Sequence, residues 1–183
     1  MNTSAQEGKP GAMVTEAEST ARKLKELVEK FHVCWEALPD CYPVKKEIRQ
    51  VGYCLELTGA HEEGVDHPSP GCVHCQHVWR ALEAIAEWII PKEYRDTGYE
   101  ISPFDPSIQY SKERKYRPEV SLRIWIRHRV GFEREVDACE VRCLKEMTQR
   151  LVEIGAHKMR WDPDDGEDLG GLFRSAALRR YGS

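Results

Sequence analysis

The stretch Glu119-Val-Ser-Leu-Arg-Ile-Trp-Ile-Arg-His-Arg-Val-Gly-Phe132 decides the fold class. Val120, Leu122, Ile124, Ile126, Val130 and Phe132 share one parity; Ser121, Arg123, Trp125, Arg127 and Arg129 share the other. A period of two puts the two sets on opposite sides of an extended chain, so the segment predicts a strand with one apolar face. Moving outward, Val51, Tyr53, Leu55 and Leu57 alternate with Gly52, Cys54, Glu56 and Thr58, which predicts a second half-buried strand. Tyr99 and Ile101, then Ile108 and Tyr110, predict two short strands around a turn at Asp105-Pro106.

Elsewhere the apolar period changes to three and four. Leu24, Leu27, Val28, Phe31, Trp35 and Leu38 predict a helix from Glu16 to about Leu38. Thr15 and Glu18 have the spacing of a capping box. Pro39 is the expected stop, with Pro39 to Pro43 as a loop. Val78, Leu82, Ile85 and Ile89 mark a second helix from about Val73 to Ile90, closed by Pro91. Val136, Cys139, Cys143, Met147, Leu151 and Ile154 mark a third, from about Glu135 to Ile154, with Gly155 as its C-terminal stop.

The expected fold is therefore α+β: about three main helices packed on a mixed or antiparallel sheet of about four strands, with a Cys/His metal loop. Residues 1–14 read as a disordered leader and 15–157 as a single domain carrying the loop at 59–77. Residues 158–183 read as a polar tail with a short amphipathic turn at Leu169 to Leu178.

Composition narrows the class further. The chain has 183 residues, 40% hydrophobic and 32% charged, which suits a globular domain. No apolar run approaches the roughly 20 residues that span a bilayer. Met1 to Gly11 lacks the basic-then-apolar layout of an export signal, so a cytoplasmic protein is expected. The net charge of −4 gives no global attraction for polyanions. Arg123, Trp125, Arg127 and Arg129 could form a basic strip for nucleic acid, but a charged sheet face that deters edge pairing is the simpler expectation. The expected partner is a protein or a small molecule; nucleic acid is allowed but not favoured.

Seven cysteines is an odd number in a chain with no export signal, which argues against a disulfide framework. Cys139 and Cys143 lie on an apolar helical stripe, where free cysteine acts as a small hydrophobe. The segment His61-Glu-Glu-Gly-Val-Asp-His67-Pro-Ser-Pro-Gly-Cys72-Val-His74-Cys75-Gln-His77 is different in kind. It holds four of the seven histidines and both halves of a C-x2-C pair. Zinc takes four Cys or His ligands in a tetrahedron, and C-x2-C is the commonest half-site. A turn opening a helix can aim both sulfurs at one point. Cys72 and Cys75 are therefore the leading candidate ligands. His67 and His61 are the best local completions, His77 has the reach, and His128 is a distant candidate because it falls on the apolar side of its strand.

A zinc-stapled binding or regulatory module is the leading expectation. A zinc-dependent hydrolase is one alternative, with Glu62, Glu63 or Asp66 as general base. A thiol–disulfide oxidoreductase is another, because a helix N-terminus lowers the pKa of the first cysteine of such a pair. Cys72-Val-His74-Cys75 resembles the CxHC tetrapeptide of thioredoxin-fold disulfide oxidases, and Arg117-Pro118 before a strand resembles their cis-proline loop. The resemblance implies dithiol exchange. The chain departs from the pattern in two ways: 14 residues separate Leu57 from Cys72, and the expected following hairpin is missing.

Overall fold

The computed structural model describes residues 15–60, 72–95, 98–101, 107–109, 119–129 and 134–159. The leader at 1–14, the loop at 61–71, the Asp105-Pro106 turn, Val130 to Phe132 and the tail from 160 lie outside the described residues.

Chain order is α1 (Glu16–Lys30), β1 (Cys34–Val44), β2 (Glu47–Ala60), α2 (Val73–Ile89), α3 (Lys92–Arg95), β3 (Tyr99–Glu100), β4 (Ser107–Gln109), β5 (Glu119–His128), α4 (Ala138–Glu153) and β6 (His157–Lys158). The fold is α+β with a mixed sheet in the order β3-β5-β2-β1-β6. Among the described residues only β1 and β6 run parallel. β3 and β4 are not a hairpin. Each pairs antiparallel with β5, at opposite ends, so they lie in line along its outer edge.

The alternation in the sequence gives the sheet two unlike faces. Leu55, Leu57, Leu122, Ile124 and Ile126 are fully buried against α2 and α4, in one cluster with Leu24, Val28, Leu82, Ile85, Ile89, Met147 and Leu151. Fully burying one such side chain contributes about 1.5–3 kcal/mol, so this layer is the main source of stability. The opposite face carries Asp40, Gly52, Cys54, Glu56, Ser121 and Trp125, all buried although outside that cluster.

Helix α1 corrects the expected boundary. Its N-terminus is as the sequence implies, with the Thr15 and Glu18 side chains reciprocally bonded to backbone N–H groups. Its C-terminus comes at Lys30, not near Leu38. His32 takes the left-handed conformation (φ 49°), the His32 N–H bonds the Glu29 carbonyl, and the Val33 N–H bonds the Val28 carbonyl. That is a Schellman stop built on histidine where glycine is usual. Trp35 and Leu38 matched the helical spacing but lie on β1, on opposite faces.

Pro39 to Pro43 is likewise strand, not loop. Beyond Trp35 no described residue pairs with the outer side of β1, and an unpaired edge tolerates proline. β1 and β2 join through Lys45 and Lys46, both with positive φ (47° and 72°), the turn whose twist matches a two-residue hairpin. β5 accompanies β2 only as far as Gly52, opposite Arg127. Among the described residues no third strand pairs with Cys41 to Gln50, so this part leaves the sheet as a two-stranded ribbon, departing at the register shift between Asp40 and Cys41.

Candidate functional site

The C-x2-C pair opens α2. Cys72 is its N-cap residue and Cys75 lies in the first turn. Helix α2 is fixed from below: Val78 sits directly over Gly59, with its Cγ1 2.7 Å from where a β-carbon on that glycine would lie. Cys75 is 3% exposed and belongs to the core; Cys72 is half-buried and packs at its margin.

The two thiols are electrostatically unequal. No aligned hydrogen bond caps the helix through the Cys72 side chain. Even so, the Cys75 N–H, then the His74 N–H and the Cys75 thiol, lie close enough to favour the Cys72 thiolate and lower its pKa. Burial pushes Cys75 the other way, up to about 11, and the Cys72 sulfur adds to the effect. The first thiol of the pair is therefore the more readily ionised, and burial keeps the proton on the second.

The remaining nominated ligands separate into three groups. His61 and His67 lie outside the described residues, as do Glu62, Glu63 and Asp66. His77 is exposed, as is His74, and their rings stand edge to face 6.5 Å apart, whereas Cys75 points into the core. His128 belongs elsewhere. It lies eight residues along β5 from Val120, the strand partner of Gly59, hence roughly 26 Å away. Its ring meets Tyr99 at 5.3 Å between centroids. Among the described residues, no group of three or more Cys, His, Asp or Glu converges as a metal cage.

His128 instead belongs to a polar seam at the start of α4. Asp137 caps the helix, accepting from the N–H groups of Cys139 and Glu140, while Glu140 accepts from the Asp137 N–H. The Tyr99 hydroxyl donates to the other Asp137 oxygen. Burial alone would push Asp137 up; the Tyr99 hydroxyl and the two backbone N–H groups hold it below the usual carboxylate range. Glu140 is 2% exposed, and burial raises its pKa although the backbone N–H groups of Asp137 and His128 both favour its ionised form. These contacts fasten α4 to the end of β5. The apolar spacing starts this helix at about Glu135 and misses the cap; the Asp137-to-Glu140 spacing is the signal that could have placed it, whereas the Tyr99 contact leaves none.

The basic strip is not a free cationic surface. Arg123 pairs with Glu56 at 3.2 Å. Arg127 pairs with Glu100 at 2.8 Å and Asp40 at 3.5 Å, and its guanidinium lies 5.3 Å from the Trp125 ring centroid. Cys143 is fully buried with its sulfur 3.7 Å from that of Met147, as a packing residue would be. No helix is long and apolar enough to cross a membrane among the described residues.

Comparison with protein-family models, with curated proteins and with solved structures returns no match. The chemistry of the pair at the head of α2 therefore has to speak for itself.

Proposed function

We propose that Cys72 and Cys75 hold a zinc ion, with the set completed from His61, His67 or His77, and that the protein is a metal-stapled binding module. The observation that carries this is the position of the two cysteines at the N-cap and in the first turn of α2, with backbone N–H groups favouring the Cys72 thiolate. A cation there would supply the charge that lets Cys75 give up its proton despite burial. His61 and His67 lie within eleven residues of Cys72 in the sequence, and binding would fasten that segment to the helix. The partner it would present to is a protein or small molecule. Elemental analysis of the purified protein tests this: one zinc per chain is expected, lost in Cys72→Ser. Unchanged zinc content in that variant would refute it.

The inequality of the two thiols favours a second reading, dithiol exchange, in which Cys72 attacks a substrate disulfide and Cys75 resolves the mixed disulfide. A metal-free preparation with a reversible Cys72–Cys75 disulfide, and a trapped mixed disulfide in Cys75→Ser, would establish it over the zinc module.

A further inference from the structure

The ribbon from Cys41 to Gln50 is not needed by the core. None of its residues is buried, and Lys45 to Gln50 are all exposed. At about 3.3 Å per residue its arms reach roughly 13 Å beyond the sheet. A two-stranded ribbon in water is marginal on its own, so its turn ought to be the most favourable available. For a turn with two left-handed residues that is Asn-Gly. The chain places Lys45 and Lys46 there instead. A left-handed conformation costs an ordinary residue about 1–2 kcal/mol, a cost that Asn-Gly would largely avoid. Two cations at the tip, with Arg49 behind them and only Glu47 opposing, make the ribbon positive in a chain whose net charge is −4. The Glu47–Arg49 pair is exposed on both sides, at 72% and 47%, so Arg49 is easily recruited elsewhere.

We propose that this ribbon is a DNA-binding arm, which enters the major groove of a duplex with Lys45, Lys46 and Arg49 on phosphates. The fit is geometric as well as electrostatic. The major groove of B-form DNA, about 12 Å wide, admits a two-stranded ribbon. The deep, narrow major groove of duplex RNA does not. Ile48, 48% exposed beside the tip, is an apolar surface suited to a thymine methyl group. The arm starts nine residues along β2, roughly 30 Å, from Gly59, which Val78 of α2 covers one turn after Cys75, so it stands apart from the Cys72–Cys75 pair.

The test is fluorescence anisotropy with a labelled DNA duplex of about 20 bp, read between about 50 and 200 mM salt. Three phosphate contacts give a slope of log K against log salt near −2.7, hence an affinity loss of about 40-fold over that range. The decisive variant is Lys45→Asn/Lys46→Gly, which removes two cations while installing the preferred turn. Its slope should fall to about −0.9, with affinity at low salt down at least about tenfold, and its melting temperature should be no lower than that of the unaltered protein. Cys72→Ser should bind DNA unchanged. Absence of binding at low salt, equal binding by the double variant, equal binding of duplex RNA, or a preference for phosphatidylserine vesicles over DNA would each overturn the proposal.

Discussion

Gly52→Ala perturbs the point where the ribbon leaves the sheet. A β-carbon at Gly52 would lie 2.5 Å from the Ile126 carbonyl oxygen and 2.9 Å from the Arg127 β-carbon. Ordinary carbon–oxygen contacts lie near 3.3 Å and carbon–carbon contacts near 3.5 Å or more, so β2 and β5 must part by roughly 0.6–0.8 Å. Two strands spaced about 4.8 Å apart cannot widen that much without stretching the hydrogen bonds around Gly52 and Arg127. Overpacking of this kind costs about 1–3 kcal/mol, offset by about 0.5–1 kcal/mol because alanine has fewer unfolded conformations. The central net loss is about 1 kcal/mol, within bounds of about 0–2.5 kcal/mol. With a urea dependence near 2 kcal/mol per molar, the unfolding midpoint should fall by about 0.5 M. Gly155→Ala is the control. Nothing lies within 4 Å of its new β-carbon, but its φ is +80°, so backbone conformation alone should cost about 1 kcal/mol. Asparagine, which tolerates left-handed backbone, should recover most of that loss at 155 and none at 52. A midpoint for Gly52→Ala equal to or above that of the unaltered protein would refute the close approach of β2 to β5.

Asp137→Ala removes a helix cap and the acceptor of the Tyr99 hydroxyl, at about 1 kcal/mol each, so urea denaturation at neutral pH should show a loss of about 2 kcal/mol. Asp137→Asn keeps the cap and should lose less. Because the folded carboxyl sits below its ordinary value, its ionised form adds stability above pH of about 4, lost as the pH falls through the folded pKa. The stability gap between the unaltered protein and Asp137→Asn should therefore close in acid. Alkylation of the reduced, metal-free protein should modify Cys72 well before Cys75, with Cys75 accelerating only as the pH climbs towards about 11. Peptide mapping by mass spectrometry reads this, and equal rates at neutral pH would show that the two thiols are not distinguished.

What could be read from the sequence is what periodicity encodes. The apolar faces of β2 and β5, and the stripes of α2 and α4, follow from alternation and three-four spacing, and most of the described residues so named, from Leu55 and Leu57 to Met147 and Leu151, fill the core; Val130 and Phe132 lie outside the described residues. Gly155 could be read as a helix stop because glycine is the usual left-handed residue. His32 performs the same task at the end of α1, and Lys45-Lys46 makes a turn usually built from Asn-Gly. Neither residue type announces its conformation, so the first helix read eight residues too long and β1 read partly as loop. The first histidine-bearing part of the candidate metal segment lies outside the described residues. Within them, the separation of His128 from the cysteines could not be read, because an inward-facing histidine looks the same at either end of a strand.

A strand of two residues has the longest reach. β6 meets β1 at Cys34 and Trp35, and the Trp35 indole N–H donates to the Ala156 carbonyl across 121 positions. During synthesis, β1 emerges early and its border at these two residues stays open until residue 158 has left the ribosome. A pause in translation anywhere between would lengthen the time in which a neighbouring nascent chain could take that place. Sealing this border of β1 thus waits on residues more than 120 positions further along the chain.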